Sequence, residues 1–490
     1  MDICRRTFGA GLLGALAGPA WPAPSRPKLT VLVIVEQLRP DALDSAWSQF
    51  GTGGFQRLAE RGACFTDCRH LSSTFSACGI ANLATGAWPA QHGIVADSWF
   101  DSAPRRAVSA SDESLLATTL AAQAADDAGM RVAVVAMTRA HAGLFAGTPS
   151  ASLYFFDERC EFTSSGRAPD WLREYNVAKG PENFRDTNWM GLNPAPGAPP
   201  LRKLSYDANH PQEFHALYKA SPFAQTAAFE LAGELLVRDK LGQGNTSDLL
   251  CVIDGSAGAL GYEVGARSPL VRQMVLQLDR RIETLWNQLS AAVGENGFHL
   301  VVTAAHGAPP EPSLQARPRM AVNGEAVAQA LESALKESGR HVDKYLYPFL
   351  YLDRPSAGQA AAEAIRLAAE LAMAIPAIEG YYTVDDRCST YTEWRQRFRN
   401  SFHAQRSGDL MLSYRPEYVE DFNAGRGVSY GSLYSYDANV PLYCCGPQFR
   451  PGVYESPVAA VDVAPTLARM MGIGEPSSAV GRVLSEALVP

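Results

Sequence analysis

The sequence predicts an α/β fold in which helices cover both faces of a largely parallel central sheet. Strand-like runs alternate with helix-like runs along most of the chain, which is typical of parallel strands joined by helical crossovers. The 490 residues are 47% hydrophobic and 19% charged, so the chain can bury a large core. Two regions break the alternation and are predicted to be inserted lobes.

Four buried strands are predicted from runs of β-branched and aliphatic residues, as expected where a strand is covered on both faces. These runs are residues 28–35, 131–137, 248–253 and 299–303. Between the last two, apolar residues recur at three- and four-residue steps from Val271 to Leu289. This spacing predicts a helix that packs one apolar stripe on the sheet.

A single domain over residues 28–488 is expected, with lobes inserted at about 150–230 and at 319–399. The first lobe is rich in proline, glycine and aromatic residues, and the second is rich in alanine and glutamate and predicted to be mostly helical. The chain is expected to return to the core at 407–410 and to end with a helix over 461–471.

The first 27 residues are typical of an export signal of the twin-arginine kind. Arg5 and Arg6 precede an apolar, glycine-rich run over 9–18, followed by small residues and prolines. That run is too short to span a bilayer, and no other stretch approaches twenty apolar residues. We therefore expect an exported protein, periplasmic or extracellular, without a transmembrane segment. The alternative is a cytosolic N-terminus with a chance arginine pair.

The net charge of −8 gives no field that attracts phosphate backbones, which argues against nucleic acid as a partner. An unidentified small ligand or protein is the partner that remains. The nine cysteines include no CxxC pair. Cys78 and Cys251 lie in apolar runs and are expected to be buried, while disulfide pairing stays open.

Several separated segments carry a family resemblance, in the same order along the chain. They are the strand and acidic turn over 33–41, the serine segment 73–80, the run from 248 to 280, the segment 303–307 and the late segment 430–442. Together they resemble the type I phosphodiesterase and nucleotide pyrophosphatase branch of the alkaline phosphatase superfamily, especially its phosphate-irrepressible alkaline phosphatases. The resemblance implies an alkaline-phosphatase-like fold.

The resemblance also implies a catalytic centre with two zinc ions, whose ligands are carboxylates and imidazoles. Glu36 stands where the family has an aspartate ligand, Ser76 takes the position of the nucleophile, and His306 is a remaining histidine ligand. The other ligand positions hold residues that are poor zinc ligands or offer no donor. These positions are Gly258, Tyr262, Ala305 and Tyr430.

Phosphate recognition is expected to be weakened as well. Asp97 replaces an asparagine of the family, and a carboxylate repels a phosphoryl dianion. Thr138 and Ala140 replace the family's lysine and arginine, while Arg139 is one residue out of phase.

Three functions follow as hypotheses from these substitutions. The first expectation is a non-catalytic protein with a binding or structural role and no metal cofactor. The second is a metal-free hydrolase with Ser76 as nucleophile, His306 as base and Glu36 or Asp97 as the orienting carboxylate. The third is an active phosphomonoesterase or phosphodiesterase with an atypical site. A shifted alignment would use Asp254, but no histidine follows that residue at the spacing of a ligand pair.

The shape of the site is left as two alternatives. Tyr262 and Tyr430, in place of two histidines, are expected to fill the former metal site and plug it by hydrogen bonding to each other or to His306. Alternatively, aromatic residues of the first lobe such as Trp171 and Trp189 frame an open cleft.

Overall fold

The structure is a computed structural model that describes residues 26–309, 320–336, 339–353, 359–389, 392–416, 418–421 and 428–489. Residues 1–25, which carry almost all of the predicted export signal, lie outside this part of the chain. Within it, every helix is too short or too polar to cross a bilayer.

A ten-stranded sheet forms the centre of the fold. In spatial order its strands are Gly452–Tyr454, Ala63–Arg69, Asn439–Cys445, Phe298–His306, Leu29–Glu36, Asp248–Asp254, Val132–Ala136, Ser152–Phe156 and Phe162–Ser164, with Val458–Ala459 paired beside Ala63–Arg69. Asn439–Cys445 and Phe162–Ser164 run antiparallel to their neighbours, and the other pairs are parallel. The predicted, largely parallel sheet is confirmed.

The four predicted buried strands are all present in this sheet. Leu29–Glu36 and Phe298–His306 are buried along their whole length, as are the other two. Continuous apolar runs form such strands because both faces are covered, so no position is reserved for a solvent-facing polar residue. Cys78 and Cys251 are also buried as predicted, and burial raises the pKa of both thiols.

Helices cover both faces of the sheet. In the core region they are Pro40–Ala46, Phe55–Arg61, Ser76–Thr85, Pro89–His92, Leu120–Ala122, Arg139–Ala146, Ser256–Val264, Pro269–Val293, Ser435–Ala438 and Val463–Met471. The stripe predicted between Val271 and Leu289 is the buried face of Pro269–Val293. Ser76–Thr85 and Arg139–Ala146 pack together on the sheet, whereas Pro269–Val293 packs with Pro222–Arg238 in another layer.

The first lobe begins later than the sequence indicates. Ser152–Phe156 and Phe162–Ser164, placed by prediction at the start of the insertion, pair onto the edge of the central sheet. The lobe then contains the helices Asp170–Lys179, Pro211–Lys219 and Pro222–Arg238 and the two-stranded sheet Asn188–Trp189 with Arg202–Lys203. A second hydrophobic cluster around Trp189, Phe214 and Tyr218 holds it together.

The second lobe combines the expected helices with a sheet that the sequence did not indicate. Its helices Gly324–Lys336, Gln359–Met373 and Thr392–Ser401 accompany an antiparallel sheet in the order His341–Leu346, Phe349–Asp353, Leu410–Tyr414 and Ile378–Thr383. The expected return to the core at 407–410 is wrong, because Leu410–Tyr414 pairs with Phe349–Asp353 and Ile378–Thr383. Gly408 permits this approach, since a Cβ there would lie 2.3 Å from the carbonyl oxygen of Leu350.

Short strand pairs complete the fold: Ser98–Asp101 with Arg106–Ser109, and Met320–Val322 with Tyr418–Glu420.

Candidate active site

The candidate site lies at the carboxyl ends of the central parallel strands, where α/β folds usually bind ligands. Glu36 ends the strand Leu29–Glu36, and His306 ends the neighbouring strand Phe298–His306. The two residues are partners in the strand register, which shifts by one residue between Val35 and Glu36. Both side chains are buried, so the sheet itself fixes a carboxylate beside an imidazole.

Ser76 is brought to this pair by close packing of its helix. It is the first residue of Ser76–Thr85, and the helix rests on the end of the strand that carries His306. Gly79 makes the contact possible, because a Cβ there would lie 1.8 Å from the carbonyl oxygen of Ala305. The hydroxyl of Ser76 therefore sits at a helix N-terminus, where developing negative charge is stabilised.

Hydrogen bonding fixes the proton arrangement of Ser76 and His306. Nδ1 of His306 lies 2.6 Å from the carbonyl oxygen of Gly307, which can only accept, so Nδ1 carries the ring hydrogen. Nε2 then presents a lone pair to the Ser76 Oγ at 2.9 Å. Burial lowers the pKa of His306 although Glu36 opposes this. The pair is a hydroxyl aimed at a neutral imidazole base.

Glu36 forms an ion pair with a residue that the sequence analysis missed. Its Oε1 lies 2.9 Å from Nδ1 of His141, and its Oε2 lies 3.2 Å from Oγ of Ser76. Burial alone would raise the pKa of Glu36, but His141 and then His306 lower it overall. Burial alone would lower the pKa of His141, but Glu36 raises it overall. The pairing therefore favours the ionised form of Glu36 and the protonated form of His141.

His141 lies in the site although the sequence motifs gave no role to it. The residue lies in the first turn of Arg139–Ala146, directly after the strand Val132–Ala136, whose carboxyl end shares the edge of the sheet with Glu36. That position was visible in the sequence. The orientation of the side chain was not, because it depends on how the helix packs.

Asp97 lies at the N-terminal end of the Ser76 helix. Its Oδ1 accepts a hydrogen bond from the backbone N–H of Ala77 at 2.9 Å. Burial raises the pKa of Asp97 overall, although the hydrogen bond from Ala77 lowers it. The hydroxyl of Tyr430 lies 3.3 Å from the other carboxyl oxygen. The predicted grouping of Glu36, Ser76, Asp97 and His306 is thus present.

The site is only partly filled by tyrosine. The ring of Tyr430 stacks on His306 with centroids 4.3 Å apart, and its hydroxyl lies 3.3 Å from Ser76 Oγ. Beside it, however, a cleft of about 960 Å³ is lined by Glu36, His141, Tyr262 and Tyr430, among others. The expectation of a plugged site is wrong, because Tyr262 lies along the cleft wall.

Glu36 occupies the space next to Gly258. A Cβ at residue 258 would lie 2.7 Å from the Cβ of Glu36 and 2.8 Å from its Oε2. The side chain of Glu36 therefore occupies space that is free because residue 258 is a glycine. Ala305 is buried in the strand beside His306.

The remaining predicted positions offer no cation. Thr138 caps the helix that contains His141, accepting from the His141 backbone N–H at 3.1 Å, and it lines the cleft. Ala140 follows in the same helix. Arg139 is paired with Asp112 at 3.1 Å, and Asp254 accepts from Gln225 at 2.6 Å and from the N–H of Ser256 at 2.9 Å.

The donor set does not fit two zinc ions. Zinc takes four nitrogen, oxygen or sulfur donors, but Gly258 and Ala305 provide no side-chain donor, and burial raises the pKa of Tyr262 and Tyr430, which keeps both phenols neutral. No group of three or more His, Cys, Asp or Glu side chains has metal-binding geometry in the described parts of the chain.

The first lobe closes the far side of the cleft, but with other residues than predicted. Trp189 is buried in the lobe core, and Trp171 donates to Asp239 at 3.1 Å. Neither tryptophan frames the cleft. Ala216, Lys219 and Ala220 line it instead, and Lys219 is a residue for which the sequence offered no signal.

Comparison with known proteins gives a consistent result. The family model described as type I phosphodiesterase / nucleotide pyrophosphatase matches residues 30–429. The alkaline phosphatase PhoV of Synechococcus elongatus is 24% identical, over 95% of this chain and 93% of its own length. The alkaline phosphatase PafA of Elizabethkingia meningoseptica is 24% identical, over 98% of this chain and 97% of its own length.

Solved structures support the fold. The crystal structure of wild-type PafA superposes with a TM-score of 0.83 at 21% identity, covering 96% of this chain and 100% of that one. Murine ectonucleotide pyrophosphatase / phosphodiesterase 5, an inactive form in complex with AMP, gives a TM-score of 0.59 at 15% identity, covering 95% of this chain and 100% of that one.

These relatives correct one expectation. The sequence analysis favoured a non-catalytic protein, but full-length relatives carry the names of enzymes, the alkaline phosphatases PhoV, PafA, PhoD and PhoK. The interpretation of this chain as a protein without enzymatic activity is contradicted by that finding.

Proposed function

This chain belongs to the type I phosphodiesterase / nucleotide pyrophosphatase family, and from that premise we propose that it hydrolyses phosphodiesters with Ser76 as nucleophile and His306 as base. The observation that carries the proposal is the 2.9 Å contact between Ser76 Oγ and a His306 Nε2 whose lone pair is fixed by Gly307. A nucleophile beside a base that a third group orients is the recurring arrangement of covalent hydrolases.

The reaction proceeds in two balanced steps. Ser76 Oγ attacks phosphorus while its proton passes to Nε2 of His306, and the ester P–O bond on the opposite side breaks, its oxygen taking a proton from solvent. Water then attacks the phosphorylated Ser76 from that opposite side and releases a proton to solvent, while Ser76 Oγ leaves and recovers its proton from His306. The complete cycle returns the enzyme to its starting protonation state.

The charges near Ser76 favour a substrate with one negative charge at phosphorus. Oε2 of Glu36 lies 3.2 Å from Oγ of Ser76, and the Asp97 carboxyl group accepts a hydrogen bond from the backbone N–H of the next residue, Ala77. Two unit charges 4 Å apart interact by about 4 kcal/mol at an effective dielectric constant of 20, so a phosphomonoester dianion is repelled more strongly than a diester anion. The His141 imidazolium supplies the compensating positive charge.

Activity is proposed to need no added metal, since this mechanism uses only Ser76, His306 and the surrounding charges. Purified protein in a chelator is expected to hydrolyse bis(p-nitrophenyl) phosphate faster than p-nitrophenyl phosphate. Ser76→Ala and His306→Gln should each lower kcat by about 10³-fold or more. Ser102→Ala, at an exposed position, is the control that keeps full activity.

The outcomes separate the parts of the proposal. Turnover that persists in Ser76→Ala, or that occurs only with added zinc, refutes the mechanism. If the protein hydrolyses only p-nitrophenyl acetate and Ser76→Ala abolishes this activity, the roles of Ser76 and His306 stand but the phosphodiester substrate is refuted.

Export is proposed as well, on the basis of the Arg5-Arg6 pair and the apolar run over 9–18. The full chain should appear in the periplasmic or extracellular fraction, and Arg5→Lys with Arg6→Lys should retain it in the cytoplasm. Equal retention of the wild type and of the double variant in the cytoplasm would contradict the proposed export.

A further inference from the structure

The cleft is far larger than one phosphoryl group needs. Its volume of about 960 Å³ is at the upper end of the range of small-molecule sites. Glycine and alanine at residues 255, 258, 259, 216 and 220 line much of it, and these small side chains leave the space open. A substrate therefore has room to extend beyond phosphorus toward the first lobe.

Lys219 is the cation that the first lobe contributes to the lining of the cleft. It is the last residue of the helix Pro211–Lys219 and is half-buried. Among the described residues no carboxylate lies within ion-pair distance of its ammonium group. Two other lysines of the same lobe are paired, Lys179 with Glu230 at 3.2 Å and Lys203 with Asp186 at 2.9 Å.

Both carboxylates among the described lining residues of the cleft are already engaged, and Glu36 pairs with His141. Glu263 also lines the cleft, but its Oε2 accepts from Arg202 at 2.9 Å, and its other oxygen is bound by the same guanidinium. The first lobe therefore contributes a positive charge to the lining, whereas Glu36, which contacts Ser76, contributes a carboxylate. This polarity suits a ligand that has an anionic group away from phosphorus.

From this arrangement we infer that Lys219 binds a second anionic group, a carboxylate or phosphate, on the part of the substrate that extends beyond the reacting phosphorus. The inference rests on the proposed function, since it names the substrate class of the same cleft. Lys219 acts on binding and specificity and takes no part in bond breaking.

The matched probes are p-nitrophenyl 2-carboxyethyl phosphate and its carboxamide, which differ in one negative charge at similar size. The wild type is expected to prefer the carboxylate by about fivefold in kcat/KM, through KM, as one partly exposed ion pair allows. Lys219→Gln should abolish the preference and Lys219→Arg should keep it. The control Lys203→Gln should retain the wild-type ratio.

Binding separates this inference from the mechanism. Titration calorimetry of both probes with the Ser76→Ala variant measures the preference for the carboxylate probe without turnover. This preference should weaken as the salt concentration is raised. Equal Kd values for the two probes, or an unchanged ratio after Lys219→Gln in the same background, overturn the role of Lys219. Absence of turnover by the wild type with a preserved difference in Kd overturns the mechanism and supports the anionic subsite.

Discussion

Lowering the pH from 7 to 5 is expected to destabilise the folded chain, because three completely buried histidines can take up protons only on unfolding. Burial lowers the pKa of His70 to about 4 and those of His92 and His299 to about 3, from an ordinary value of 6.5. Below pH 6.5 the unfolded chain therefore binds more protons than the folded chain, so stability falls as the pH falls.

The size of the effect follows from these pKa values. A pH of 5 lies about 1.5 units below the pKa of a histidine in the unfolded chain, whereas the folded histidine is still neutral. At 1.36 kcal/mol per unit, the free energy of unfolding therefore falls by about 2 kcal/mol for each histidine. The three together amount to about 6 kcal/mol, comparable to the whole stability of many domains. Burial raises the pKa of Asp254, which acts in the opposite direction, so a difference between variants isolates the histidines.

His299→Phe is the most informative variant. Neither ring nitrogen of His299 has a hydrogen-bond partner among the described residues, and the ring packs edge-on against Phe449 with centroids 5.5 Å apart. Phenylalanine keeps a flat aromatic ring at this position and does not titrate. Between pH 7 and 5 the free energy of unfolding of the variant should fall about 2 kcal/mol less than that of the wild type.

The assay is urea unfolding followed by tryptophan fluorescence at pH 7, 6 and 5. His210→Phe, at an exposed histidine, is the control and should keep the wild-type pH dependence. Identical pH dependence in His299→Phe and the wild type would refute the reasoning, since it would mean that the buried ring takes up a proton in the folded chain.

Three further predictions concern the site. The profile of kcat/KM against pH should be bell-shaped. The rate should rise with pH as His306 loses its proton below pH 6.5 and fall as His141 loses its proton above pH 6.5. A profile that does not fall at alkaline pH would contradict the role of His141. Gly258→Ala should lower kcat/KM by about 10²-fold because the added Cβ displaces Glu36. Gly244→Ala is the control and should have no effect, since the nearest atom lies 3.7 Å from the added Cβ. Equal rates for the two variants would contradict the placement of Glu36. Restoring the family's donors should give a chain that binds two zinc ions by elemental analysis, and two zinc ions in the unaltered chain would contradict the donor argument. The five changes are Glu36→Asp, Gly258→Asp, Tyr262→His, Ala305→Asp and Tyr430→His.

Much of the fold follows from local patterns. The run that forms Leu29–Glu36 is apolar at nearly every position, which predicts a strand buried on both faces whatever its partners are. The pairing of Leu410–Tyr414 was not predictable in this way. An apolar run of five residues suits either sheet, and only long-range contacts with Phe349–Asp353 and Ile378–Thr383 select the second lobe.

The candidate site shows the same division. The family resemblance pointed to Ser76, Glu36 and His306. The shared edge of the parallel strands explains why Glu36 and His306 meet, whereas helix packing brings Ser76 to them. His141 and Lys219 were missed because each sits on a helix whose packing against the sheet or the lobe decides where its side chain points.

The sequence by itself determined the α/β class, the family and the identity of the side chains at the strand ends, since periodicity and motifs are local properties of the chain. Only the tertiary structure decided that Tyr430 covers His306 while the adjacent cleft stays open, and that Glu36 pairs with His141. Those outcomes depend on distances of a few ångströms between segments far apart in the chain, and helix packing sets such distances.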